Sequence, residues 1–78
     1  MKIDNFELLI GSPVDREKLV CEIYFENEIF AEISHETGDF LIEIYPHPKN
    51  KWWSLSLDKL QEIIFIGKQH LLGTYKIE

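Results

Sequence analysis

Three stretches of the chain alternate apolar and polar residues with the period of two expected of half-buried strands. In residues 19–25, Cys21, Ile23 and Phe25 share one side, while Val20, Glu22 and Tyr24 share the other. Residues 29–34 set Ile29, Ala31 and Ile33 inward and Phe30, Glu32 and Ser34 outward. Residues 40–45 set Phe40, Ile42 and Ile44 inward and Leu41, Glu43 and Tyr45 outward. A link at Glu26-Asn27-Glu28 joins the first two stretches. A turn at Thr37-Gly38, where glycine tolerates positive φ, joins the second and third.

The register follows from the rule that core faces meet core faces, because a one-residue slip turns every side chain over. A three-residue link sets Phe25 opposite Ile29 and Ile23 opposite Ala31. On the outer side it sets Tyr24 opposite Phe30 and Glu22 opposite Glu32. A two-residue turn at Thr37-Gly38 sets Ile33 opposite Ile42, Glu32 opposite Glu43 and Phe30 opposite Tyr45. The outer face is thus expected to carry two cross-strand rows: Glu22, Glu32, Glu43 and Tyr24, Phe30, Tyr45.

Residues 3–10 read as a fourth strand, with Phe6, Leu8 and Ile10 facing one way, or as a short helix; "VDREK" (14–18) reads as a polar loop. After turns at Pro46-His47-Pro48 and Lys49-Asn50-Lys51, Trp53, Leu55 and Leu57 alternate with Trp52, Ser54 and Ser56. Trp53 is therefore expected in the core and Trp52 at least half exposed. Ser56 is a good N-cap and Asp58 suits the positive end of a helix dipole. The helix is expected over residues 57–72, stopped by Gly73. Leu57, Leu60, Ile63, Ile64, Gly67 and Leu71 form one stripe for the sheet, leaving Phe65 and Ile66 off it. Gly67 in that stripe suggests close approach to the sheet. "TYKIE" (74–78) reads as an edge strand or a loose tail. The whole is expected to be one α+β domain over residues 1–78: a three- to four-stranded antiparallel sheet with one C-terminal helix packed on one face.

Charge changes the picture. The net charge is −6, which argues against direct binding to nucleic acid, where a basic face is needed. Between Val20 and Tyr45 lie seven carboxylates and no Lys or Arg. Like charges directly opposite on a sheet destabilise it by up to about 1 kcal/mol per pair. A helix laid over this face would bury three carboxylates, which is worse, so the face is expected to meet solvent. Acids beside aromatics suit a surface that meets a cationic partner. The single Cys21 cannot form an internal disulfide, and the N-terminus lacks the pattern of a signal peptide, so a cytoplasmic protein is expected. No apolar run spans a bilayer, so no membrane partner is expected.

Catalytic chemistry has little to build on. His35, His47 and His70 show no metal-ligand spacing, and Cys21 is assigned to the core, where a thiol is inert. Carboxylates on an open sheet face have no pocket to exclude water. No enzyme activity, catalytic residue, metal or cofactor is expected.

"AEISHETGDFLIEIYPHP" followed by "WWSLSLDKLQEII", within residues 22–72, resembles the small acidic immunity proteins of contact-dependent inhibition and other polymorphic toxin systems. The resemblance implies a cytoplasmic protein that binds one toxin domain, often a nuclease and with an RNase favoured, and occludes its active site. Such families have no fixed set of binding residues, so the contact residues come from the register alone: Glu22, Tyr24, Phe30, Glu32, Glu43, Tyr45 and Trp52. A monomer in isolation is expected rather than a dimer. Two alternatives stay open: a small self-associating subunit or adaptor, and a nucleic-acid mimic that inhibits a DNA-acting enzyme.

Overall fold

The computed structural model describes residues 1–73. Its elements are β1 (Lys2–Ile3), β2 (Phe6–Gly11), β3 (Val20–Phe25), β4 (Glu28–Ser34), β5 (Leu41–Ile44) and α1 (Leu57–Leu71). The strands form one antiparallel sheet in chain order, so every neighbour in sequence is a neighbour in space. The α+β class stands, with five strands where three or four were expected. The extra strand arises because the N-terminal segment is a hairpin, not a helix. The chain reverses at Asp4-Asn5, with Asp4 at φ 53°, and β2 pairs Leu8 with Ile23 and Ile10 with Cys21. Phe6 and Leu8 are buried and Leu9 is exposed, as their alternation predicts. Segment 74–78, read as a strand or tail, lies outside the described residues.

The β3–β4 junction departs from expectation in an instructive way. The link is a two-residue turn, with Glu26 and Asn27 at φ 49° and 69°, the pair of positive values a type I′ hairpin requires. That turn seats Phe25 opposite Glu28 and Tyr24 opposite Ile29. Core packing further along demands Ile23 opposite Ala31 and Glu22 opposite Glu32, and both pairs form. The two demands differ by one residue, and a β-bulge takes up Phe30. Phe30 leaves the outer row as a result. It is 3% exposed and meets the Trp53 ring edge-on at 5.1 Å between centroids. At the next junction the ladder ends at Ser34–Leu41 rather than at a two-residue turn. The register is nonetheless the expected one, with Ile33 opposite Ile42 and Glu32 opposite Glu43.

Helix α1 starts as predicted: the Ser56 hydroxyl accepts the Lys59 amide at 3.3 Å. It ends where Gly73 takes φ 80°, a left-handed value that glycine adopts without penalty. Its buried residues are Ile63, Ile66 and Gly67. Ile66 is thus part of the core, not off the stripe, and Leu57, at the first residue of the helix, is 68% exposed. A methyl group at Gly67 would stand 3.1 Å from both Cys21 Sγ and Ile33 Cδ1, so glycine is what lets the helix sit this close. The helix lies over β2, β3 and β4. The inner side of β5 is left open: Ile42 and Ile44 are 41% and 60% exposed.

Candidate functional site

On the face away from α1, the pairs Glu22–Glu32 and Glu32–Glu43 put three carboxylates in one row across β3, β4 and β5. Their repulsion is met from an unexpected quarter. Arg16, in the β2–β3 loop, reaches over the sheet, and its Nη2 donates to Glu32 Oε2 at 2.9 Å and to Glu43 Oε1 at 2.7 Å. The Glu43 hydrogen bond is the main reason the guanidinium is held more firmly protonated than usual. The loop is fixed in turn by Glu36, whose carboxylate accepts the backbone N–H groups of Glu17 and Lys18 at 2.8 and 2.9 Å. Those bonds lower the pKa of Glu36 below its ordinary value. Beneath Arg16 the Glu32 side chain is 9% exposed, whereas that of Glu43 remains 57% exposed. One guanidinium against three carboxylates leaves the row with an excess of negative charge.

The polar-loop pattern of residues 14–18 does not by itself show the reach of Arg16. The signal was there: three like charges forced into register need a cation, and Arg16 is the single arginine of the sequence. One further polar group on this strand is costly. The Ser34 hydroxyl is fully buried and makes no hydrogen bond.

Two tyrosines flank the row. Burial first, then the Glu22 charge, raise the pKa of Tyr24, whose hydroxyl lies 3.4 Å from Glu22 Oε1. Burial, then Glu32, Glu43 and Glu22 in turn, raise that of Tyr45, which places its hydroxyl in the field of all three carboxylates. Both phenols are neutral and able to donate at neutral pH, as an ordinary tyrosine is.

The tryptophans divide as their phase predicts. Trp53 packs on Phe30 and on the His47 ring, and its Nε1–H donates to the Tyr45 carbonyl at 2.7 Å, pinning the loop to the end of β5. His47 Nδ1 accepts the backbone N–H groups of Lys49 and Asn50 at 3.0 and 3.1 Å, which shapes the turn that presents Trp52. Trp52 is 72% exposed, beside a depression of about 410 Å³ whose walls include Phe25, His47 and Asn50.

No protein-family model, curated protein or solved structure matches the chain.

The fold thus gathers Glu22, Tyr24, Glu32, Glu43 and Tyr45 on one face, sets Trp52 on the adjoining loop, and withdraws Phe30 into the core. Among the described residues no group of His, Cys, Asp and Glu side chains is arranged to hold a metal ion, and no helix is long and apolar enough to cross a membrane. The Cys21 thiol is buried, which pushes its pKa up to about 12.

Proposed function

We propose that this chain is an inhibitor of the immunity-protein kind, which binds a cationic protein domain, a nuclease above all, and occludes its active site. The observation that supports this reading is the carboxylate row of Glu22, Glu32 and Glu43 under a single guanidinium. A site that binds phosphates is cationic, and an excess of fixed carboxylates steers such a domain into contact. Glu43 and Glu22 supply the charge, Tyr24 and Tyr45 the hydroxyls, and Trp52 an exposed aromatic anchor of the type enriched in binding hot spots. Glu32 is reassigned: buried beneath Arg16, it holds the loop over the sheet instead of meeting the partner.

The test is capture from a lysate of the source cell by the native protein and by a variant carrying Glu22→Lys and Glu43→Lys. Glu32 is left alone, because a lysine there would face Arg16 out of solvent. The native protein is expected to retain one basic protein, released as salt screens the contact, and the variant to retain none. Equal retention by both would remove the acidic row from the contact. A second reading, a self-associating subunit, draws on the open edge of β5. Sedimentation at micromolar concentration separates the two, since a dimer formed without any partner supports the subunit.

A further inference from the structure

The open strand β5 carries more information than its exposure alone. It is a strand of four residues, Leu41–Ile44, which among the described residues pairs only with β4. The Tyr45 N–H donates to the Phe30 carbonyl at 2.8 Å. Alternation along an antiparallel ladder then directs the N–H and C=O of Glu43 toward β4 and those of Ile42 and Ile44 outward. Edge strands in proteins that stand alone are usually blunted by shortness, charge, proline or a bulge. Residues 41–44 read LIEI: the strand is short and carries one charge, Glu43, but neither lysine nor proline, with Pro46 only beyond it. The two sides of the edge differ sharply. On the helix side, Ile42 and Ile44 are exposed beside a cleft of about 140 Å³ lined by Phe40, Ile42 and Ile64. On the other side stands Glu43, 57% exposed at the end of the carboxylate row, where its Oε1 already accepts Arg16 Nη2 at 2.7 Å.

We propose that the free edge of β5 takes an extended segment of the partner as a sixth strand, with an apolar–basic–apolar triplet opposite Ile42, Glu43 and Ile44. The proposal rests on the cationic partner inferred above and names the element by which that partner is held. Main-chain hydrogen bonds to Ile42 and Ile44 give such a strand its grip, and alternate side chains give it selectivity. Residues opposite one another share a face, so the two apolar side chains lie on Ile42 and Ile44 while the central Lys or Arg lies beside Glu43. Charge disfavours a second copy as occupant in the register centred on Glu43. Pairing β5 with its own twin brings two Glu43 carboxylates together on chains that each carry −6.

The probe is the peptide acetyl-Thr-Ile-Arg-Ile-Thr-amide, followed by amide resonances of the full chain, with acetyl-Thr-Ile-Glu-Ile-Thr-amide as control. The arginine peptide is expected to shift the Ile42 and Ile44 amides and slow their exchange, and the glutamate peptide to leave them unchanged. Glu43→Gln should weaken binding about two- to fivefold, the scale of one cross-strand charge pair. Ile44→Pro should abolish it by removing an outward N–H while sparing the β4 ladder. Should that variant not fold, Ile44→Lys at the same exposed position blocks the edge with a charge. Arginine-peptide shifts confined to Glu22 and Tyr24 would overturn the edge assignment and leave the cationic-partner reading standing. Equal binding of both peptides at the edge would overturn the triplet and count against that reading as well. Protection of Ile42 and Ile44 by self-association alone, or no shift at millimolar peptide, would overturn the proposal.

Discussion

Ile33 and Ile42 are direct cross-strand partners on the same side of the sheet, yet one is 3% exposed and the other 41%. The same contrast separates the inner side of β2–β4 from the inner side of β5. Alternation tells which side a residue faces; it does not tell whether anything covers that side. The reason is one of width. Five strands about 4.8 Å apart make a sheet roughly 19 Å across. A helix about 10 Å in diameter covers two or three of them. With one helix and five strands among the described residues, some apolar surface of the sheet stays open. Here Gly67 lets α1 close onto Cys21 on the β2–β4 side.

The contrast is broken most severely by truncating one residue from each region. Ile63→Ala, at a fully buried position, should cost about 2–5 kcal/mol. Ile44→Ala, at a position 60% exposed, should change stability by no more than about 0.5 kcal/mol. Urea denaturation of the two variants measures both. A comparable loss at Ile44 would mean that β5 is covered in solution, by a second copy or by the helix itself.

A smaller effect probes why the helix sits where it does. Gly67→Leu forces a side chain into a space where even a methyl group meets Cys21 Sγ at 3.1 Å. Overpacking of this kind should cost about 1–3 kcal/mol despite the better helix propensity of leucine. The same variant should raise the reactivity of Cys21 toward a thiol reagent, because a displaced helix uncovers it. A leucine accepted without loss would place the helix farther from the sheet.

How much of this was legible in the chain divides along the same physical line. Local rules were enough for β3, β4 and β5, the Ser56 cap, the Gly73 stop, the inward Trp53 and the pairing of Glu32 with Glu43. What escaped depended on competition between neighbouring constraints. The bulge at Phe30 arises only because a two-residue turn and the core register disagree by one residue, and neither rule alone shows it. Arg16 acts on carboxylates far along the chain, and side-chain reach across a loop leaves no periodic trace. Ile66 was placed off the stripe because a strict pattern ignores how broadly a helix embeds when a glycine lets it come close.

The least costly change separates the outer face from the inner one through pH. Glu36 accepts two backbone N–H bonds from the loop that carries Arg16, and its folded pKa lies below the ordinary value. A carboxylate of this kind adds its share of stability above the unfolded pKa, about 4.3 for Glu, and loses it as pH falls through the folded value. From pH 8 down to about 5 the loop should therefore stay docked. As pH falls below the ordinary glutamate value the loop should come away as Glu36 protonates, while the inner face, held by apolar packing, stays intact. The Glu17 and Lys18 amide resonances report the event: they should move together with a midpoint below that of an isolated glutamate. In Glu36→Ala the two amides should show no such transition, with the denaturation midpoint at neutral pH almost unchanged, because Glu36 is a surface tether. A midpoint at or above the ordinary glutamate value would mean that the carboxylate does not hold the loop. The placement of Arg16 over Glu32 and Glu43 would then need another anchor.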